Sequence, residues 1–463
     1  MKDYNFLIKI SCLIAVLICY GCSKEFLDEK PSTAIVQPKS LEEFQSLLDN
    51  YTANNVTVGL GILSTDEYEY MSDALWLSAR TATERNAYIW AKDLYEGEQA
   101  DDWNKPYTTI FYANNVLAGL ETMDGARANE WKNLKGWALF LRAFANYELV
   151  NNFAPIYDQA TAATDLGVPL RLKPSIDQLA PRATVAANYG QILSDLTAAT
   201  ALLPIAIPAA NRNRPSKVAA HALFARIYLT RREYDKAEHH ADTCLQLYDK
   251  LIDYNTLNKT TAIPFSIIND ELIYSKYAAT RASYGVSNPF VKVAPSLISL
   301  YALNDLRLTI FYSRLADGGY MTKRGYQGNV YPFVGLATDE VYLIKAECLA
   351  RRNETVAAMA VLDGLLVKRW DPNASSPSIP YQNLSASSAQ DALKKVLLER
   401  RKELVWRGLR WDDLKRLNKE GANIELSRMV NGQRYTLLPN SPRYVFPIPD
   451  DEINLSGLTQ NQR

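Results

Sequence analysis

Two apolar stripes between Lys217 and Tyr248, parted by a short charged stretch, constrain this chain more than any other feature. Ala220, Leu223, Phe224, Ile227 and Tyr228 fall on one face of a 3.6-residue period. After Thr230-Arg231-Arg232-Glu233, a second face carries Ala237, Ala241, Cys244, Leu245 and Tyr248. The spacing predicts two helices joined by a tight turn, a unit of about 34 residues. Such a hairpin cannot bury its own apolar face, so several must stack against one another.

The same signal recurs. Between Trp131 and Glu148, the residues Leu134, Trp137, Ala138, Leu141, Phe144 and Ala145 form one helical face, and residues 103–150 read as another helix pair. A weaker copy runs over 339–370, with Tyr342, Ala346, Leu349, Ala358 and Leu362. In the 217–248 unit, small Ala225 and Ala237 stand where paired helices touch, beside Phe224 and Tyr228; this resembles a tetratricopeptide repeat. The predicted fold is mainly α: a tetratricopeptide-like helical-hairpin scaffold with long irregular loop insertions. Residues 151–183, 254–335 and 371–388 are the insertions, rich in proline and other turn formers. Within 254–335 a helix is expected only over 295–310. A further helix is expected over 390–417, followed by an extended tail where Pro447 and Pro449 disfavour helix.

Composition excludes several functions. Lys+Arg and Asp+Glu number 51 each, so no broad basic surface is available and nucleic acid is not an expected partner. Three histidines leave little room for His-based metal or acid–base chemistry. His239 and His240 are neighbours on one helix and point about 100° apart, so they make no two-His face of the i, i+4 kind. Walker A, Rossmann, HExxH and nucleophile-elbow patterns are absent. Glu399, Glu403, Arg410, Asp412, Asp413 and Arg416 read as structural ion pairs that hold helices in register. Asp101-Asp102 and Asp450-Asp451-Glu452 read as caps and solvated turns rather than an acid–base pair. No enzyme, cofactor or metal site is therefore expected.

Lys2 and Lys9 flank the start of the apolar run Ile10–Tyr20, which is short of the roughly 20 residues that span a bilayer. This reads as a signal peptide over 1–21. Gly21-Cys22-Ser23 resembles the bacterial lipoprotein signal, which makes Cys22 the expected lipidation site and implies a lipid anchor rather than a span. The acidic residues Glu25, Asp28 and Glu29 behind it resemble the surface-export signal of Bacteroidota lipoproteins. Cys244 and Cys348 lie on apolar faces and read as buried thiols, with a bond between them left open.

Tyr outnumbers Phe, 28 to 13. Tyr and Trp pair an apolar face with a hydrogen-bonding edge, which suits wet binding surfaces. The densest cluster runs from Tyr68 to Tyr95. There Tyr68, Trp76, Tyr88 and Trp90, among Asp66, Glu67, Asp73, Arg80 and Arg85, are the first candidates to stack on sugar rings. Tyr277, Arg281, Tyr284 and Asn288 form a second candidate loop.

Separate pieces then share one pattern: Phe26-Leu27-Asp28 with Pro31, Ser64-Thr65-Asp66-Glu67, Trp103 to Asn114-Asn115, and Arg142-Ala143-Phe144. Near the end stand Glu399-Arg400-Arg401-Lys402-Glu403-Leu404, Gly408 to Leu414, Phe446-Pro447-Ile448-Pro449 and Gln460-Asn461. In this order the chain resembles the SusD/RagB family. The resemblance implies about four hairpins and one domain over 22–463. Its scaffold would cover about 38–250 and 338–370, a loop-rich ligand or partner region about 254–335, and a C-terminal helix and tail 389–463. It further implies a lipid-anchored outer-membrane protein, facing outward, that binds a nutrient and delivers it to a SusC-like TonB-dependent barrel. The nutrient is expected to be an oligosaccharide. A peptide ligand, or a helical scaffold used only for protein–protein contact, stays open.

Overall fold

Hydroxyl side chains open several of the long helices. Thr184, Ser216 and Ser388 each accept from the backbone N–H three residues on, at 3.1, 3.3 and 3.1 Å, which satisfies donors that the first helical turn leaves free. The computed structural model describes residues 38–57, 59–123, 128–175, 179–278 and 289–463. Contacts divide the chain into Met1–Ser40, of which only 38–40 are described, and one unit over Leu41–Arg463. The expected signal segment, 1–21, and the expected lipidation site Cys22 lie outside the described residues.

Eight long helices carry the second unit: α1 (Asp101–Glu121), α2 (Ala128–Phe153), α3 (Val185–Leu202), α4 (Lys217–Thr230), α5 (Tyr234–Leu247), α6 (Thr338–Arg351), α7 (Thr355–Leu366) and α8 (Ala389–Glu403). Each packs on the next up to α7, and α8 packs back on α6. The hairpins read from the apolar stripes are thus present and stacked, and the mainly α scaffold is the fold observed. Ala219, Ala220, Ala225, Ala237, Ala241 and Cys244 have no exposed surface, so α4 and α5 approach closely. Arg232 turns the chain between them at φ 63. Each large apolar side chain buried along this stack stabilises the fold by about 1.5–3 kcal/mol.

The insertions are built from short paired strands. Tyr68–Tyr70 pairs antiparallel with Val291–Val293, Tyr312–Arg314 with Tyr320–Thr322, and Leu272–Tyr274 with Leu336–Ala337. Val56–Thr57 runs parallel to Tyr277–Ala278. At Gly335 the backbones come so close that a β-carbon would lie 2.0 Å from the Tyr274 carbonyl oxygen, so glycine alone fits.

Two expectations need correction. The helix expected over 295–310 is two short ones, Pro295–Ile298 and Leu306–Ile310. The helix expected over 390–417 breaks after Glu403, passes through left-handed Trp406 (φ 57) and Gly408 (φ 71), and resumes as α9 (Arg410–Lys419). A continuous helix satisfies the apolar stripe, but the break lets Arg400 turn onto Asp413 at 2.8 Å.

The charged residues of this region do form pairs. Arg416 reaches Glu347 at 2.5 Å, Arg410 reaches Asp66 at 2.8 Å, and Arg307 reaches Glu399 at 2.6 Å and Glu403 at 3.0 Å. Cys244 and Cys348 are buried and free. Among the described residues, no helix is long and apolar enough to cross a membrane.

Candidate functional site

The aromatic segment after Asp66 folds inward. Tyr68 and Trp90 are 1% exposed; Tyr88 and Trp76 are 4% and 9% exposed. Their polar atoms are used internally. Tyr68 Oη donates to Leu63 O at 2.8 Å, Trp90 Nε1 to Ser64 O at 2.9 Å, and Trp76 Nε1 to Arg85 O at 3.1 Å. Arg428, from the hairpin strand Leu426–Val430, occupies the centre of this cluster. Its guanidinium carbon lies 3.7 Å from the Tyr88 ring, 4.8 Å from Trp90 and 5.4 Å from Tyr68. It donates to the carbonyls of Thr65 and Tyr88. Of the expected sugar platform, Tyr68, Tyr88 and Trp90 therefore form an aromatic core built around one cation, and Trp76 is buried against the backbone at Arg85. The rings offer no face to a ligand, because burial against one another was the cheaper way to use their apolar area.

The second candidate loop gives a different result. Tyr277 opens the short strand Tyr277–Ala278, and its ring contacts two others. Tyr51 lies at 5.2 Å between centroids with planes 32° apart; Tyr331 lies at 5.2 Å and 21°. The outer two rings are open, Tyr51 at 37% and Tyr331 at 41%. The result is a ladder of three tyrosines with solvent on both ends.

Three segments far apart in the chain build it. Asn50 caps the helical turn Tyr51–Asn54, accepting from Ala53 N at 3.2 Å, and this aims Tyr51 outward. The parallel register Val56↔Tyr277 sets the second ring beside it. The bridge between Tyr277 and Phe333 brings in the loop that carries Tyr331. A polar floor lies alongside. Ser275 Oγ is 3.4 Å from Tyr51 Oη and accepts from Gln327 Nε2, while Asn55 Nδ2 donates to Ser275 O at 2.8 Å. Arg281, Tyr284 and Asn288 lie outside the described residues, in the stretch 279–288 that begins directly after Ala278.

Sequence reasoning found Tyr277 but missed Tyr51 and Tyr331. Tyr51 sits in a four-residue helix and Tyr331 in a glycine-rich loop, so neither belongs to a periodic pattern that a window can detect. The ladder can hold flat, C–H-rich surfaces such as sugar rings, with hydroxyl and amide partners at its edge. No titratable pair suited to acid–base catalysis touches it among the described residues. No group of three or more His, Cys, Asp or Glu that could hold a metal ion occurs among them either.

A stacked helical-hairpin scaffold whose loops assemble an exposed tyrosine ladder defines the class. Comparison with known proteins then places the chain within it. A SusD-like model described as "starch-binding associating with outer membrane" matches residues 25–229, and a SusD family model matches 307–463. The chain belongs to the SusD family. A SusD-like protein P2 from Formosa agariphila is 25% identical, with 98% of this chain and 97% of that one aligned. Among solved structures, a putative sugar-binding protein from Bacteroides vulgatus superposes with TM-score 0.72 at 22% identity, over 92% of this chain and 99% of that one. A SusD superfamily protein from Bacteroides thetaiotaomicron gives 0.71 at 20%, over 92% and 100%. A laminarin-binding SusD-like protein gives 0.65 at 18%, over 91% and 98%. At these identities the superpositions establish the shared fold.

Proposed function

We propose that this protein is a non-catalytic, lipid-anchored surface receptor. It holds an oligosaccharide on the Tyr51–Tyr277–Tyr331 ladder and passes it to a SusC-like TonB-dependent barrel in the outer membrane. The ladder carries the reading: three rings in contact, Tyr51 tilted and Tyr331 stacked on Tyr277, with the outer two open to solvent. Sugar C–H faces stack on such rings, and Ser275 and Gln327 supply hydroxyl partners. The family's description and the laminarin-binding relative support a glycan. Cys22 supplies the anchor, with the barrel as partner.

Removing an outer ring is expected to weaken glycan binding without unfolding the protein. Tyr51→Ala and Tyr331→Ala should each lower affinity about ten-fold, the loss of roughly one aromatic stacking contact. Calorimetry against a panel of neutral and acidic oligosaccharides, with circular dichroism as the fold control, measures this. Unchanged affinity in both variants would remove the ladder from the binding site.

The membrane half of the proposal has its own test. Full-length protein solubilised gently from its native membrane should bring a large barrel with it in near-stoichiometric yield. Cys22→Ala should move to the soluble fraction and lose that barrel. Membrane fractionation that persists in Cys22→Ala refutes the anchor, and wild type without a barrel refutes the delivery role.

A peptide ligand is the second reading, and one observation favours it. Val330, next to Tyr331, and Ile263, Ile267 and Ile268, on the loop bonded to Arg324 of the same segment, are 43–72% exposed. Such an apolar rim suits peptide side chains better than sugar hydroxyls. Adding a peptide panel to the same calorimetry separates the two readings.

A further inference from the structure

The three histidines of the chain converge on one hairpin. His221 lies on α4, and His239 and His240 on α5. Sequence spacing separates His239 from His240 by about 100° and says nothing of His221. The packing of α5 against α4 brings His221 and His240 face to face, Nδ1 to Nδ1 at 3.0 Å, with ring centroids 5.2 Å apart.

His240 is held in place. Its ring is nearly parallel to Phe224 (4.3 Å, 12°) and to Tyr228 (5.5 Å, 9°). His221 is half-buried, as His240 is, but lies outside the stack on Phe224 and Tyr228. His239 is exposed, its ring centroid 5.2 Å from that of His240 at 69°. Burial, with the neighbouring imidazoles, pushes His221 and His240 below the ordinary histidine range, His240 to about 3. Both rings are therefore neutral at pH 7, each with one unprotonated ring nitrogen.

We propose that His221 and His240 form a two-imidazole site for a late first-row divalent cation, namely copper, nickel or zinc. Imidazole nitrogens suit these ions, and copper binds most tightly in the series. Two nitrogens at about 2.0–2.1 Å from a tetrahedral zinc ion stand about 3.3 Å apart, so the observed pair needs to open by about 0.3 Å and to turn toward a common point. In the hydrogen-bonded pair one Nδ1–H points at the lone pair of the other Nδ1. A cation enters beside that axis as both half-buried rings turn, His221 the further, until the two Nδ1 lone pairs converge on it. The donor imidazole shifts its proton from Nδ1 to Nε2 through solvent. Both Nδ1 atoms then bind the cation, and no net proton is released. Water fills the remaining positions. Because no third ligand is arranged there among the described residues, the site has two-ligand strength and stays open to exchange. It lies on the repeat scaffold and does not depend on the ligand reading of the tyrosine ladder.

The test uses the full chain without a histidine tag. Calorimetric titration with copper(II) chloride should show one saturable site per chain, and nickel and zinc should bind it more weakly. His221→Gln and His240→Gln should each weaken copper binding at least about ten-fold, and His239→Gln less than about three-fold. His221→Gln is the safer variant, since its position is half-buried and outside the ring stack. Circular dichroism and the melting temperature confirm that it folds. Electron paramagnetic resonance of the copper complex adds an independent readout: splitting from two imidazole nitrogens in wild type, and from one in His221→Gln. Equal copper affinity in wild type and His221→Gln, or an unchanged nitrogen splitting, overturns the proposal. So does the absence of saturable binding.

Discussion

Replacing Arg369 by glutamine is expected to destabilise the protein by about 3–5 kcal/mol, the cost of stranding buried charge. Arg369 is 1% exposed and joins two carboxylates, Glu271 at 2.7 Å and Glu403 at 2.8 Å. It also donates to Ile252 O at 2.7 Å, and its guanidinium carbon lies 3.8 Å from the Tyr254 ring. Glu403 continues to Arg307, and Arg307 to Asp305 and Glu399; Lys402 closes the chain on both. This ladder ties helix α8 to the loop residues 252–271 and 305–307. Within it, burial pushes the Glu271 carboxyl up to about 7, against the pull of Arg369. The arginines hold Glu403 below its ordinary value despite its burial. Without Arg369, Glu271 and Glu403 face each other's field with no cation between them.

Urea unfolding measures the loss, and it is large beside the 5–15 kcal/mol typical of whole domains. A midpoint shift worth less than about 1 kcal/mol would show that the ladder is not cooperative. Replacing Arg369 and Glu271 together by leucine should cost less than Arg369→Gln alone. Desolvated ion pairs are expensive to break but not intrinsically stabilising.

The second large effect concerns pH. Glu67 is 2% exposed and has no cation of its own. Its neighbour Asp66 takes both arginines, Arg410 at 2.8 Å and Arg401 at 2.9 Å. Those two arginines hold Asp66 down at about 2 despite its burial. Glu67 receives only Thr65 Oγ1 at 3.3 Å and Trp406 N at 3.4 Å, and burial pushes its carboxyl up to about 8. Two adjacent carboxylates thus have opposite fates.

The sign follows from proton counting. Between the ordinary value of 4.5 and about 8, the folded state holds a proton that the unfolded state has lost. This contribution is fully present below 4.5 and drains away as pH rises toward 8, at about 1.4 kcal/mol per pH unit. Glu67→Gln keeps an acceptor for Thr65 and Trp406 and removes the titration. The variant should therefore match wild type near pH 4 and become the more stable of the two by pH 8. Melting curves at pH 4, 6 and 8 measure the gap, and a gap that stays constant would place the titration elsewhere.

Much of this molecule is written locally. The apolar stripes at 131–148, 217–248 and 339–370 specify helices, because a 3.6-residue period requires only neighbours in the chain. Ala225 and Ala237 specify close contact within a hairpin for the same reason. The charged run from Glu399 to Arg416 announces structural ion pairs, since residue types and spacing already suggest them. Those local signals, in their order along the chain, suffice to mark the family and its scaffold.

The site was not local. Tyr68 and Trp90 carry the same apolar area and polar edge as Tyr51 and Tyr331, so composition cannot tell a buried core ring from an open one. Arg428 made the difference at the first cluster: it comes from over three hundred residues away and gathers those rings around its guanidinium. At the second, the parallel pairing of 56–57 with 277–278 joined Tyr51 to Tyr277, and a single bridge at Phe333 added Tyr331. His221 met His240 in the same way, across a helix seam. Periodicity says which face of an element is apolar. It does not say which faces meet, because that choice is made by packing, and the tyrosine ladder lies where segments distant in sequence meet.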